Sequence, residues 1–281
     1  MDLIIFQKNE ITEYHIYKSL AGFEKVKKNK QVLMKLANDE KGHYYFWQKI
    51  TKKKTLPNWI KVLLYILIAR VLGLTFGIKL MEKGEEKAQV KYKSILKKIP
   101  NARKILHDED VHEQKLIGLI EEERLNYVGS IVLGLNDALV ELTGALAGLS
   151  FGFQNTRIIA FAGLITGVAA GFSMAAAEYL SQSHEHAEFP IKSAFYTGIA
   201  YFITVGILIL PYLIFSNYIL CLLLTLLLAI LIILFFNYYV SVAKDLPFKK
   251  RFLEMAVISI GVSAVTFGIS IFVKKIFGIE M

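Results

Sequence analysis

Apolar and polar positions alternate in two different ways along this chain. From about residue 127 onward, apolar runs of twenty or more residues follow one another with short polar breaks between them. A helix that crosses a bilayer needs about 20 mainly apolar residues. Five segments reach that length, at 127–153, 158–180, 193–215, 218–240 and 252–273. The fourth, which contains LCLLLTLLLAILIILFF, is apolar nearly all round. Before residue 127 long apolar runs are scarce and charged residues are frequent. The expected fold is all-α, an N-terminal four-helix bundle followed by a five-helix transmembrane domain.

Composition sharpens that division. The 281 residues are 54% hydrophobic and 20% charged, whereas soluble globular proteins carry about 25% charge. A disordered, collagen-like or simple water-soluble chain is excluded. The first 127 residues hold 25 Lys and Arg against 16 Asp and Glu, a net +9, and the remainder hold 8 against 8. This step in charge marks a domain boundary, placed between 1–124 and 125–281. The N-terminus, MDLIIFQKNEITEYHIYK, has too short an apolar stretch for a signal peptide. Cys221 is the only cysteine, so a disulfide framework, a zinc ribbon and a four-cysteine iron site are excluded within the chain.

Basic loops set the expected topology. Lys244, Lys249, Lys250 and Arg251 lie between the fourth and fifth spans, and the basic N-terminal domain precedes the first. With both inside, the 181–192 segment is cytoplasmic as well, and Lys274 and Lys275 fall on the outer side. No nucleic-acid motif accompanies the basic charge, and a positive domain beside anionic lipid accounts for it.

The N-terminal domain carries a duplicated chemical pattern. Glu40–Lys41–Gly42–His43 and Glu109–Asp110–Val111–His112 are both ExxH. Residues i and i+3 share a helix face, so each pair can present a carboxylate and an imidazole to one metal. Helix-bundle di-iron proteins use two such motifs and one Glu from each of the two other helices. Glu10 and Glu85 stand in that position, each followed seven residues later by a tyrosine, Tyr17 or Tyr92. Glu13 and Glu82, one turn away, are alternatives as ligand or supporting acid. The tyrosines either hydrogen-bond ligand carboxylates or pack in the core. His15, Glu86, His107 and Glu113 are expected at the surface.

Residues 59–80, WIKVLLYILIARVLGLTFGIKL, are long enough for a sixth span. Arg70 lies near the middle, and an Arg at mid-bilayer costs ~2.5–3.5 kcal/mol on insertion scales. The two ExxH motifs flank the segment and must share one site, so a single crossing would separate them. A buried crossover or an interfacial helix is expected instead.

The membrane segments carry acids of their own. Asp137 and Glu141 are four residues apart on the first span, as are Met174 and Glu178 on the second. Ionisable groups inside a bilayer usually mark an ion or proton path, although Glu178 lies near a helix end, where it could snorkel. Carboxylates with a thioether suit a borderline divalent ion such as Fe²⁺. Beyond the second span, His184, Glu185, His186 and Glu188 crowd the cytoplasmic mouth, where metal could collect. The glycines of the first two spans read as helix-packing residues.

The stretches NEITEYHIYKSLAG, ANDEKGHYYFW, MEKGEEKAQVKY and LHDEDVHEQKLI, over about 8–122, resemble the rubrerythrin branch of the ferritin-like superfamily. That resemblance implies a non-haem di-iron site held by Glu10, Glu40, His43, Glu85, Glu109 and His112, with Glu82 as a further ligand. Rubrerythrin peroxidases usually also carry a four-cysteine iron site, which this chain lacks. The stretches YVGSIVLGLNDALVELTGALAGLSF and GLITGVAAGFSMAAAEYLSQSHEHAE, over about 125–275, resemble the vacuolar iron transporter family. This second resemblance implies a homodimer with Asp137, Glu141 and Met174 facing the ion path, and Fe²⁺ or Mn²⁺ leaving the cytoplasm in exchange for protons. The pairing resembles the membrane-bound ferritin fusions of bacteria and archaea. The expected protein is an integral multi-pass iron transporter, in the cell membrane of a prokaryote or a vacuolar-type membrane of a eukaryote. Its cytoplasmic bundle binds, senses or delivers iron. The alternative is a membrane-anchored di-iron ferroxidase or peroxidase.

Overall fold

The computed structural model describes residues 3–83, 117–118 and 120–277, and every regular element among them is a helix. The chain divides into two compact units, Met1–Glu123 and Arg124–Met281.

In the first unit, α1 (Leu3–Phe23) and α2 (Lys27–Thr51) form a tight antiparallel hairpin. Their buried positions recur every three to four residues, among them Glu10, Glu13, Tyr17 and Leu20 on α1 and Leu33, Leu36, Glu40, Tyr44 and Trp47 on α2. That spacing lines one face of a helix. α2 stops at Lys52, whose backbone is left-handed at φ 55°. Gln7 then ties the end of α2 to α1, donating to the Lys53 carbonyl at 2.8 Å and accepting from the Thr51 hydroxyl at 2.7 Å.

The 59–80 segment is not one helix. α3 (Trp59–Leu72) starts on an Asn58 cap that accepts from the Lys61 N–H, and it ends at Gly73. Gly73 has φ 110°, a backbone that side chains rarely adopt. The chain resumes as α4, helical over 74–83. The Glu122 carboxylate accepts from the Thr75 N–H at 3.0 Å and so satisfies an N–H in the first turn of α4. Fourteen residues of α3 rise about 21 Å, short of a ~30 Å hydrocarbon core. Val62 and Ala69 of α3 and Ile78 and Met81 of α4 join the core formed by Ile16, Tyr17, Leu20, Leu33 and Leu36. Ile117 and Ile120 join the same core, and Asn29 exchanges two hydrogen bonds with the Glu121 backbone, at 2.8 and 3.0 Å.

Among its described residues the second unit holds five long helices: α5 (Val128–Phe153), α6 (Thr156–His184), α7 (Pro190–Ile214), α8 (Tyr218–Ala243) and α9 (Phe248–Phe277). All five are long and apolar enough to cross a membrane. Asn155 and Asn217 cap α6 and α8 through their side-chain oxygens. Large apolar side chains such as Phe161, Phe172, Leu213, Leu223 and Val257 point outward, as expected where lipid is the solvent. The chain is therefore an integral multi-pass membrane protein.

Small residues bring the inner helices together. A Cβ on Gly134 of α5 would run into the Thr197 carbonyl of α7, and Thr197 donates to the Ser130 carbonyl at 3.0 Å. Along α6, Gly163, Gly167 and Gly171 receive Leu146, Val205 and Phe202. The glycines thus serve close helix approach. The core between the helices is built from Leu139, Leu142, Leu146, Tyr201, Leu208 and Tyr212.

Candidate metal sites

Within the first unit, the hairpin carries its acids on the stripe that faces inward. Glu10, Glu13 and Glu40 are 4%, 6% and 1% exposed. Burying charge is costly unless it is paired or coordinates a cation. One ligand atom from each of Glu10, Glu40 and His43 lies within 4.8 Å of the other two. The His43 Nδ1 is 3.7 Å from a carboxylate oxygen of both Glu10 and Glu40. Two ligands of one metal at ~2.1 Å each sit at most ~4.2 Å apart, and the two 3.7 Å separations from His43 fall inside that limit. Two carboxylate oxygens and an imidazole suit a first-row divalent ion. Ca²⁺, which takes six to eight oxygens, suits them less well.

One neighbour orients this cluster, and a second hydrogen bond ties α1 to α4. The Trp47 indole donates to Glu10 Oε1 at 3.1 Å, leaving Oε2 toward His43. Tyr17, fully buried, donates to Glu82 Oε1 at 2.6 Å. Tyr17 thus packs in the core of the unit and donates to the carboxylate of Glu82. Glu85, Tyr92, Glu109 and His112 lie outside the described residues, as do Glu86, His107 and Glu113. His15 is half-buried against Tyr14 and Trp59 rather than at the open surface. Burial and the nearby Lys18 hold its imidazole below its ordinary pKa.

In the second unit, Asp137 and Glu141 stand one turn apart on α5. Asp137 is half-buried, and Glu141 is exposed on the single chain. The Tyr201 hydroxyl, fully buried on α7, donates to Glu141 Oε2 at 2.9 Å. Met174 is half-buried and packs against the inter-helix core. Glu178 does not snorkel. It is 6% exposed and accepts from the Ser130 hydroxyl of α5 at 2.8 Å. α6 runs one turn beyond the apolar segment and takes in His184, whose Nδ1 lies 2.8 Å from the Leu180 carbonyl. His184, Glu185, His186 and Glu188 are all exposed. Among the described residues, the one group of three or more acids and imidazoles close enough to share an ion is Glu10, Glu40 and His43.

Trp47, Ser130 and Tyr201 are the site residues that sequence reasoning missed. A polar group inside an apolar run needs a partner, and for Tyr201 that was the available signal. Comparison with curated proteins gives no match. A family model described as the VIT family matches residues 128–189. The matched stretch is α5, α6 and the loop after them, and it contains Asp137, Glu141, Met174, Glu178 and the 184–188 cluster. It supports a membrane metal-transporter domain of the vacuolar iron transporter type in the second unit.

Proposed function

We propose that the protein moves Fe²⁺, with Mn²⁺ as a second substrate, out of the cytoplasm by exchange for protons. The observation that carries this reading is the pair Asp137 and Glu141 inside a membrane helix, within the segment that matches the transporter family. Their oxygens would take the ion as it loses water, and Met174 would add a thioether. Protonation of the same carboxylates would release the ion and return protons. Glu141 lies exposed on the single chain, and an acid at that depth needs protein or water beside it. A second copy of the chain supplies that wall, so the working form is a homodimer. Glu178 and the 184–188 cluster lie toward the cytoplasmic mouth, and the basic loops put the N-terminal unit on that side.

The first unit is a ferritin-like bundle that binds iron and senses it or delivers it. Glu10, Glu40 and His43 would hold one metal, and Glu82, Glu85, Glu109 and His112 complete a di-iron set. Bound iron would supply one-electron redox chemistry, and the chain's residues hold and orient it. A second reading, a ferroxidase that uses O₂ or peroxide as oxidant with the spans as anchor, rests on the buried Glu10–Glu40–His43 cluster.

The test is anaerobic Fe²⁺ uptake into proteoliposomes with an acidic lumen, wild type beside Asp137→Ala. Uptake that follows the proton gradient and is lost in the variant supports transport. Folded wild-type protein that takes up no iron but consumes O₂ with Fe²⁺ supports the enzyme.

A further inference from the structure

On α3, Ile60, Leu63, Leu64 and Leu67 are 80%, 68%, 50% and 60% exposed. They stand at i, i+3, i+4 and i+7, so they form one stripe. The opposite side of the helix carries Val62 and Ala69 into the core of the unit, with Tyr65 and Ile66 packed beside them. α3 is therefore apolar on two sides, one packed and one presented outward. Leu56, just before it, is 81% exposed, and Trp59 at its first position is 55% exposed.

Charge indicates what this stripe meets. Between Glu40 and Glu82 the sequence contains seven lysines, one arginine and no acid. Lys52, Lys53 and Lys54 are exposed immediately before α3, and Lys61 is exposed on it. Arg70 is exposed near its end, its guanidinium 3.7 Å from the centre of the Phe23 ring. A second copy meeting this face with its own would bring like charge to like charge. A nucleic acid would leave the apolar stripe in water. A surface with negative headgroups above and acyl chains below complements both features. Amphipathic helices with lysine-rich flanks and an aromatic residue bind such surfaces, and tryptophan favours the headgroup level. The same chain supplies the membrane, since few residues separate Ile120, in the core of this unit, from Val128, where the first membrane helix begins.

We propose that α3 lies in the headgroup layer of an anionic bilayer with Ile60, Leu63, Leu64 and Leu67 toward the acyl chains, a second membrane attachment in addition to the five spans. It lies on the membrane and does not cross it, because it is about 21 Å long and breaks at Gly73. This inference needs the bilayer that the five spans imply, and it stands or falls independently of what the protein transports.

The chain carries its own reporter. It has two tryptophans, Trp47 and Trp59. Trp47 is fully buried and Trp59 is exposed. The full-length protein is placed in nanodiscs of anionic lipid brominated either near the carbonyl end or near the tail end of the acyl chain. Emission is compared with that of Trp59→Phe. The expected result is about twofold quenching of the Trp59 component, stronger for the shallow bromines, in keeping with a helix seated 5–10 Å deep. Three results overturn the proposal. One is Trp59 quenched by aqueous iodide and untouched by brominated lipid. Another is Trp59 shielded from both, which means that protein covers the stripe. The third is equal quenching in purely zwitterionic lipid, which removes the anionic headgroup as partner.

Discussion

The hydroxyl of Tyr201, on the third membrane helix, donates a 2.9 Å hydrogen bond to the carboxylate of Glu141 on the first. Tyr201 is fully buried among the helices, whereas Glu141 lies on an exposed side of its own. The acid proposed for the ion path is thus oriented from behind by a helix that lies outside the family-matched segment. Removing a hydrogen bond to a charged group costs about 1.5–3 kcal/mol. Tyr201→Phe is expected to reduce Fe²⁺ uptake in proteoliposomes about tenfold while the protein still assembles, and Glu141→Gln to reduce it further. Equal uptake by Tyr201→Phe and wild type would remove Tyr201 from the mechanism.

Trp47 plays the corresponding part in the first unit. Its indole N–H holds Glu10 Oε1, and Oε2 faces His43. Loss of a group that orients a ligand typically weakens metal binding 10–100-fold. Trp47→Phe keeps most of the buried volume and removes the donor. Fe²⁺ or Mn²⁺ titration of the full chain is expected to show affinity weakened by about that factor, with little change in helix content. Unchanged affinity would mean that Glu10 needs no such support.

Metal removal gives a third test. Glu10 and Glu40 are buried with ligand atoms within 4.8 Å of each other, and a cation bound there would offset repulsion between their carboxylates. Ligand at a hundred times its Kd adds about 2.7 kcal/mol to folding stability. Stripping metal with a chelator should lower the thermal midpoint of the first unit, and adding back Fe²⁺ or Mn²⁺ should restore it. Glu40→Gln should abolish that response. A midpoint that metal does not move would argue for a structural role of the cluster.

Gly134 tests the packing of the membrane unit. A Cβ there would meet the backbone carbonyl of Thr197, which cannot swing aside as a side chain would. Overpacking of this kind costs about 1–3 kcal/mol. Gly134→Ala is expected to lower the thermal stability of detergent-solubilised protein, whereas Gly152→Ala, at a glycine with open space around it, should be neutral. Equal effects of the two would show that α5 and α7 tolerate separation.

The membrane helices were legible from sequence because a span is a local property. Twenty apolar residues in a row must form a helix in lipid whatever surrounds them, and the five segments appear as five helices with ends moved by a few residues. The pairing of Glu40 with His43 was legible for the same reason, since three residues along a helix is one face. The packing role of the glycines could also be read, and Gly163, Gly167 and Gly171 each meet a side chain of another helix or turn.

Tertiary structure decided which distant groups meet. Glu10 joins Glu40 and His43 only because the α1–α2 hairpin is antiparallel and rotated so that these three side chains converge. Tyr17 reaches Glu82 across the 59–80 segment because that segment breaks at Gly73, where the backbone takes φ 110°. Ser130 finds Glu178, and Tyr201 finds Glu141, through the rotation of one helix against another. Periodicity along a chain fixes which residues share a face. The rotation and offset of two packed helices arise from how all their side chains interlock, so those partners had to be read from the folded molecule.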